Sequence, residues 1–307
     1  MQGSTISCHI AFGLQWDSTI YLTQFSEHSA TDTLPDIKIR VLDDKPLERE
    51  LIAMWGRSEV FDNGFRFYAD DFALFDFYLP DRLDVFLGSA WDGDMPSFFY
   101  GTVVAAILAF KGRIPIHGSA VEIDGRAVLI CGHSGLGKSS IASSLIGFGG
   151  KMISDDLSAL CFETDGRVLL HGGRTNVRLA APAAKKLSDS EIFNKKIGTN
   201  LFGKYLVEML MVPPSVGVPL DAIIFLDSKF GKFDIDLHPF QNYKKLLSNL
   251  FRPGLMNYLP YQRERVQKIM NLNREVRFLG LQVHPPIDGL SVKNMTKQIF
   301  EFFAHGK

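Results

Sequence analysis

The sequence predicts an α/β fold with a smaller β-rich domain at its N-terminus, and three observations support this prediction. Short β-like runs alternate with turn signals over residues 37–87. Continuous apolar runs at 127–131 and 222–226 are typical of strands that are covered on both faces. Amphipathic helix patterns occupy the C-terminal third. We place the boundary between the two domains near residue 112, which gives domains of residues 1–112 and 113–307.

The composition excludes several classes of protein. The chain has 307 residues, of which 46% are hydrophobic and 22% charged, so wholesale disorder is excluded. Lys and Arg number 33 against 34 for Asp and Glu, and the net charge of -1 argues against nucleic acid or anionic lipid as a partner. The three cysteines lack metal-ligand spacing, which argues against a zinc site or a disulfide framework.

The N-terminal residues show no signal-peptide pattern, and the longest apolar run, 98–110, is too short to span a bilayer. We therefore expect a cytoplasmic protein without a membrane partner, and the sequence leaves a homo-oligomer open.

The N-terminal domain is predicted to hold strands at 37–40, 65–68, 73–79 and 84–87, with a hairpin turn at 62–64 and a helix over 95–110. Aromatic residues alternate along 65–78, and we favour a core for them over a ligand groove. An exposed strand edge here would receive an extended peptide, so we expect this domain to bind the acceptor substrate. In the C-terminal third, helices are predicted at 242–251, 256–272 and 292–303, and they are expected to be structural cover.

Residues 132–139 match the phosphate-loop pattern G-x-x-x-x-G-K-[ST] without a mismatch. The apolar run 127–131 precedes the loop, and a helix pattern over 140–148 follows it. In such loops successive backbone N–H groups converge on phosphate oxygens, the lysine reaches the β- and γ-phosphates, and the hydroxyl after it ligates Mg²⁺. We expect these residues to contact the nucleotide: Gly132, His133, Ser134, Gly135, Leu136, Gly137, Lys138, Ser139 and Ser140.

Two acidic sites compete to complete the nucleotide site. Asp227 follows four apolar residues, as in an ordinary Walker B strand, whereas Asp155 and Asp156 end the run that follows the phosphate-loop helix. In a parallel sheet this second strand would neighbour the loop strand and place both acids beside the phosphates. Adjacent strand residues point to opposite faces, so one acid suits the metal and the other an acceptor hydroxyl. His117, before the hairpin that leads to the loop, is either structural or a partner that tunes a catalytic carboxylate.

Together, His117-Gly118, the loop and Asp155-Asp156 resemble the bacterial HPr serine kinase/phosphorylase family. His117 precedes Gly132 by 15 positions and Asp155 follows Lys138 by 17, and both intervals look like those of that family. The resemblance is specific over 114–160 and extends more weakly to 218–225 and 276–283. It implies a P-loop kinase core of the type of that family's C-terminal domain.

By this resemblance Asp155 is the general base that takes the proton of an acceptor serine, and His117 tunes it. Ser139 and Asp156 serve Mg²⁺, and Lys138 serves the phosphates of ATP. The family's second signature, an Arg-Gly with a metal-associated Glu, is absent, and Arg174 or Arg178 stands at a similar distance as a phosphate-side cation. This difference argues against the reverse phosphorylase activity and against HPr itself as the substrate.

The whole chain looks closer to the shorter HPr-kinase-like proteins, including those that phosphorylate a lasso-peptide precursor. We therefore expect an ATP- and Mg²⁺-dependent serine kinase that acts on a peptide or protein. Two alternatives stay open, namely a kinase of a small-molecule hydroxyl and a nucleotide-binding regulatory module without phosphotransfer.

Overall fold

The structure is a computed structural model that describes residues 6–29, 33–179, 195–199, 205–208, 211–228, 237–283 and 289–305. Within these ranges an N-terminal sheet has nine strands in the order β3-β1-β2-β4-β9-β8-β7-β6-β5. These strands are β1 (Ser7–Ala11), β2 (Leu14–Ser18), β3 (Ser26–Glu27), β4 (Ile37–Val41), β5 (Ala53–Trp55), β6 (Ser58–Phe61), β7 (Gly64–Ala69), β8 (Ala73–Tyr78) and β9 (Arg82–Leu87). The pairing is antiparallel except where β4 joins β2 and β9 in parallel.

A second sheet carries the phosphate loop, and its eight described strands follow the order β10-β14-β15-β19-β12-β11-β13, with β20 also paired to β19. These strands are β10 (Ile114–Ile116), β11 (Gly118–Ile123), β12 (Arg126–Cys131), β13 (Lys151–Ser154), β14 (Ser158–Phe162), β15 (Val168–His171), β19 (Gly217–Asp227) and β20 (Arg277–Gln282). A small sheet of order β16-β18-β17 joins β16 (Asn176–Leu179), β17 (Lys195–Thr199) and β18 (Tyr205–Glu208).

Helices cover both faces of the second sheet. The described helices are α1 (Val104–Phe110), α2 (Lys138–Ile146), α3 (Pro239–Ser248), α4 (Pro253–Met256), α5 (Gln262–Asn271) and α6 (Gly289–His305). A π-helical turn, Phe99–Val103, leads into α1, and a 3₁₀ turn, Leu272–Arg274, follows α5. No helix in the described ranges combines the length and the apolar character needed to cross a membrane.

Two hydrophobic cores lie on the two faces of the second sheet. Leu129 of β12 packs into a core that also holds α1 and inward residues of the N-terminal sheet, such as Trp16 and Phe75. Val128 and Ile130 of the same strand pack on the other face, among residues of α2 and α6. This arrangement confirms the prediction that the strand preceding the loop is covered on both faces. The first core joins residues from both sides of position 112, and the domain boundary there stays a prediction.

The predicted strands of the N-terminal domain correspond to β4, β7, β8 and β9, and the predicted turn at 62–64 joins β6 to β7. Phe65, Phe67, Phe75 and Phe77 of this sheet are buried, which confirms that the aromatic alternation forms a core. Tyr68, on the opposite face, is 37% exposed.

Several predicted helix boundaries were wrong. The helix predicted over 95–110 begins only at Phe99, with a π-helical turn. The helix predicted over 256–272, with Pro260 expected to delay its start, begins at Gln262 as α5 and follows the separate short helix α4. Helix α3 begins at Pro239, earlier than predicted, and the side chain of His238 accepts a hydrogen bond from the Phe240 amide as an N-cap.

Candidate phosphate-binding site

The phosphate loop joins the end of β12 to the start of α2 in the strand–loop–helix arrangement that the motif requires. Gly135 has φ 86° and Gly137 has φ 81°, values in the left-handed region that side chains with a Cβ rarely adopt. This backbone lets the N–H groups at the N-terminus of α2 face the space above the loop. His133, Ser134 and Gly135 are exposed, so a ligand has access to the loop.

Lys138 rests on its own loop. Its Nζ donates hydrogen bonds to the carbonyl oxygens of Gly132, at 2.7 Å, and of His133, at 3.1 Å, and the side chain is buried. Lys138, which is predicted to bind the nucleotide phosphates, is therefore held at the base of the loop. Leu136 packs its side chain against the second core, while Ser139 and Ser140 lie half-buried in the first turn of α2.

The sheet order corrects one prediction about the two acids. The strand that precedes Asp155 is β13, and it is not the neighbour of β12, because the antiparallel strand β11 lies between them. Two antiparallel steps make β13 parallel to β12 again, so its C-terminal end still lies on the same edge as the loop. Asp155 and Asp156 thus lie at the same edge of the sheet as the phosphate loop, although β13 is two strands away from β12.

Asp155 is buried and accepts a hydrogen bond of 2.6 Å from the hydroxyl of Ser119 in β11. Asp156 follows it with a left-handed φ of 68°, which turns its side chain away from the strand direction. Its side chain is about a quarter exposed, since it retains 27% of its accessible surface. The Asp155 carboxylate is therefore enclosed, whereas the Asp156 carboxylate is partly exposed. These two environments suit two different tasks.

The side chains of Arg174 and His117 flank Asp156. Arg174 Nη2 lies 3.2 Å from its Oδ2, and His117 Nδ1 lies 3.4 Å from its Oδ1 and 3.1 Å from its main-chain oxygen. His117 Nδ1 thus lies against Asp156, whereas the sequence resemblance implied Asp155 as its partner. The turn after β13 brings Asp156 to the imidazole, and Asp155 Oδ1 accepts the hydrogen bond of Ser119 instead.

Burial lowers the pKa of His117, and the positive charge of Lys138 lowers this pKa further. Asp156 acts in the opposite direction, through its carboxylate and its main-chain oxygen. The imidazole is therefore neutral at pH 7, and its Nδ1–H can donate to the main-chain oxygen of Asp156. A neutral ring here orients Asp156 without adding a second buried positive charge.

The competing acid, Asp227, ends β19, which is the direct parallel neighbour of β12. Lys245 of α3 forms an ion pair with its carboxylate, at 2.9 Å. By strand order alone Asp227 occupies the Walker B position, but its partner lysine gives it an evident structural task. The choice between the two acidic sites stays a prediction.

Two residues of the site, Ser119 and Asn249, were not identified from the sequence. Asn249, just after α3, accepts a hydrogen bond on Oδ1 from the Gly132 amide at 2.9 Å, and its main-chain oxygen accepts one from the His117 amide at 2.7 Å. It therefore connects the phosphate loop to the histidine. An Asn at the end of a predicted helix is a C-cap signal, but that signal does not reveal which distant amide its side chain binds.

The basic residues predicted near the phosphates have different outcomes. The Arg174 side chain is buried, with 2% exposure, and contacts Asp156. Arg178 lies in β16, and its side chain falls outside the described part of the structure.

The oxygen ligands present fit a magnesium ion held mainly by nucleotide phosphates. Ser139 offers a hydroxyl and Asp156 a partly exposed carboxylate, and Mg²⁺ in nucleotide sites takes one or two protein ligands beside phosphate oxygens and water. Among the residues that the structure describes, no cluster of three or more His, Cys, Asp or Glu side chains could hold a metal by itself. A nucleotide-dependent ion agrees with this ligand set.

Strand, loop and helix together define a phosphate-loop α/β protein. Residues 109–177 match the sequence model of the HPr Serine kinase C-terminal domain. An HPr kinase/phosphorylase from Lachnoclostridium phytofermentans is 49% identical over 45 residues, which are 15% of this chain and 15% of that protein. The Hpr(Ser) kinase/phosphatase structure from Coxiella burnetii covers 62% of this chain and 93% of its own, with 15% identity and a TM-score of 0.34.

Residues 109–177, which contain His117, the phosphate loop, Asp155 and Arg174, are therefore similar to the HPr kinase C-terminal domain. The curated relative is matched over a small part of its length, so its activity as a whole protein is not transferred to this chain by the match.

Proposed function

We propose that this protein is an ATP-dependent serine kinase that phosphorylates a peptide or protein. The observation that carries the proposal is the meeting of two functional groups at one edge of the sheet. A complete phosphate loop ends β12, and an enclosed carboxylate, Asp155, ends the strand two positions away. A loop alone would serve any nucleotide-binding protein, whereas the additional carboxylate suits the activation of a hydroxyl.

In the proposed reaction the acceptor hydroxyl oxygen bonds to the γ-phosphorus of ATP while the bond to the bridging β,γ-oxygen breaks. The hydroxyl proton passes to Asp155, and the products are ADP and a phosphoserine. Lys138 leaves the loop carbonyls for the phosphates, and Asp156 and Ser139 would hold Mg²⁺, which supplies charge neutralisation when bound. Positioning and electrostatic stabilisation are expected to contribute more than proton removal.

For the acceptor we propose a ribosomally made precursor peptide, of the lasso type, that adds as a strand to the edge of the N-terminal sheet. Strand β5 ends that sheet among the described residues, and its Met54 is 58% exposed. The neighbouring Trp55 packs its indole against Gly254, close to Phe251, whose ring centroid is 6.1 Å from that of His117. A peptide paired with β5 would thus lie near the catalytic edge.

The decisive experiment is incubation with γ-labelled ATP, Mg²⁺ and the peptides encoded beside this gene. Label on a peptide serine, with ADP formed only when the peptide is present, is the expected result. Label on a small-molecule hydroxyl instead would establish the alternative kinase, and ATP binding without transfer to any acceptor would reject the kinase proposal.

A non-catalytic nucleotide-binding module has one observation in its favour. Arg174 neutralises Asp156, the acid that is proposed to hold the metal. This alternative predicts that ATP binds with equal affinity in the presence and absence of Mg²⁺, which calorimetry measures directly.

A further inference from the structure

The turn between β1 and β2 is strained and lies against the catalytic half of the molecule. Phe12 has φ 55° and Gly13 has φ 66°, so a bulky aromatic residue is held in the left-handed region. Such conformations persist where the surrounding structure holds them, and they cluster at functional sites. Phe12 is almost fully buried, and its ring packs edge-on against that of Phe25.

This turn contacts the segment that leads from β15 to β16. The amide of Phe12 donates a hydrogen bond of 2.6 Å to the main-chain oxygen of Gly172. The ring of Phe12 lies on Gly173, where an added Cβ would come within 2.7 Å of the ring. Only glycine accommodates this approach, so the contact constrains the path of the backbone at 172–173.

The other end of the same segment is also tied to the N-terminal sheet region. The amide of Thr175 donates to the main-chain oxygen of Gln24 at 2.9 Å. The amide of Gly173 donates to the main-chain oxygen of Ile153 in β13, at 3.1 Å, two residues before Asp155. Residues 172–175 are therefore fixed on both sides and attached to the strand that carries the acids.

Arg174 lies in the middle of this fixed segment. Its guanidinium is buried and 3.2 Å from the Asp156 carboxylate. A buried cation is tolerated where its partner is well placed, so the position of the segment and the position of Asp156 depend on each other. The contacts run without interruption from Phe12 through Gly172–Arg174 to Asp156.

We propose that the turn Phe12–Gly13 is a positioning element of the phosphotransfer site, which holds Arg174 on Asp156. This inference rests on the proposed function and assigns the N-terminal sheet a task in catalysis besides any role in binding the acceptor. Phe12 touches neither substrate nor nucleotide in this arrangement. It acts through the backbone of residues 172–175.

The test is a double-mutant cycle with Gly173→Ala and Phe12→Ala in the full chain. Gly173→Ala places a methyl group against the Phe12 ring and is expected to raise the Mg²⁺ concentration for half-maximal activity about tenfold, as loss of support for a metal ligand does. In the double variant the two effects should not add, because without the Phe12 ring the added methyl group has nothing to displace. Gly150→Ala is the matched control, because its Cβ would meet Val121 at 2.9 Å at the far end of β13.

A second measurement is independent of activity. Amide hydrogen exchange of residues 172–175 should accelerate in Phe12→Ala and remain unchanged in Gly150→Ala. If Gly173→Ala does not fold, Phe12→Ala carries the test with both readouts. An unchanged Mg²⁺ requirement and unchanged hydrogen exchange in Phe12→Ala would overturn the inference. A wild-type protein that transfers no phosphate would overturn the proposed function. The hydrogen-exchange result would then decide the positioning role.

Discussion

The hydroxyl of Ser119 donates a 2.6 Å hydrogen bond to Asp155 Oδ1, and both side chains are buried. A carboxylate removed from water needs donors to hold its charge and its orientation. Ser119 supplies one such donor from the strand between the phosphate loop and the acid, so it sets the direction of the proposed base. In the proposed reaction it would be a positioning residue, since its hydroxyl contacts Asp155.

Ser119→Ala should therefore lower kcat by about tenfold, or ~1.4 kcal/mol in the barrier, while the KM for ATP stays near its wild-type value. Ser119→Thr retains the hydroxyl and should recover part of the rate. Steady-state kinetics on folded protein measure both effects. A rise in the KM for ATP with unchanged kcat would contradict this role.

Substitutions of the three candidate aspartates should have different effects on phosphotransfer and on the Mg²⁺ requirement. Asp155→Asn should reduce phosphotransfer by ~10²-fold or more with little change in ATP affinity, because a base acts mainly in the transition state. Asp156→Asn should raise the Mg²⁺ requirement, and Asp227→Asn should do neither. Single-turnover kinetics with calorimetric ATP binding distinguish them. An inactive Asp227→Asn beside a normal Asp155→Asn would assign the catalytic acid to β19 instead.

Lys138→Ala should abolish productive ATP use while the fold remains intact, with a loss of ~10²–10³-fold, the scale for removing one charge-stabilising donor. The Lys138 side chain donates hydrogen bonds to the loop carbonyls of Gly132 and His133, so its loss should leave the strands around it in place. Circular dichroism and thermal unfolding serve as the control. Phosphotransfer near the wild-type rate would reject the phosphate-loop assignment.

His117 should titrate below its ordinary pKa of about 6.5, because burial and Lys138 favour its neutral form. Its protonation in the folded state therefore costs stability, which is fully present above about pH 6.5 and is lost as pH falls through the lowered pKa. Imidazole chemical shifts from NMR give the value directly. Lys138→Met should raise this pKa, Asp156→Asn should lower it further, and His117→Ala should remove the corresponding acid limb of the pH–rate profile. A pKa of His117 that is insensitive to both neighbouring charges would contradict the contacts described here.

The sequence predicts the parts of the site that depend on local pattern. The motif with its flanking strand and helix identifies β12, the loop and α2, because glycine spacing and apolar runs are local properties. It does not predict that β11 stands between β12 and β13. A strand pattern shows that a strand exists, but tertiary packing decides which strand it pairs with.

The residues that the sequence missed are polar groups that act at long range. Ser119 and Asn249 belong to common residue types, and their partners Asp155 and Gly132 lie 36 and 117 positions away. Strands β1 and β2 were also missed, since β1 mixes polar and apolar residues over five positions and pairs mainly through its backbone. Such features depend on the assembled fold, so no window of sequence carries their signal.

The acceptor proposal is tested at the sheet edge. Met54→Asp places a charge on the exposed face of β5 and should raise the KM for a peptide acceptor by ~10-fold, while the KM for ATP stays unchanged. Val216→Asp is the control, because Val216 is also an exposed apolar residue but lies just before β19, a strand of the second sheet and not of the sheet that β5 ends. Equal effects of the two substitutions on the KM for the peptide would contradict a role for β5 in acceptor binding.

Asn249 offers the sharpest test of how the phosphate loop is supported. Its Oδ1 accepts the hydrogen bond of the Gly132 amide, while the carbonyl of Gly132 is held by Lys138. In the proposed reaction Lys138 would move to a phosphate, and Asn249 would retain the other side of the same residue. The loop can then keep its shape during the exchange.

Asn249→Ala leaves the Gly132 amide without this acceptor, and an unsatisfied buried donor costs about 1–3 kcal/mol. The dissociation constant of ATP should consequently rise by ~10-fold, and the Gly132 amide should exchange faster in the nucleotide-free protein. The hydrogen bond that the His117 amide donates to the Asn249 main-chain oxygen does not depend on the Asn249 side chain. The pKa of His117 should therefore remain at its wild-type value. Ser248→Ala is the control for the helix end, because the Ser248 hydroxyl donates to the Lys245 main-chain oxygen and accepts from Asn249 Nδ2 at 3.5 Å, but no bond to the loop is among its described contacts. Unchanged ATP affinity and unchanged hydrogen exchange of Gly132 in Asn249→Ala would show that the Asn249 side chain only caps the helix. A shifted pKa of His117 would mean that the whole turn after α3 had moved.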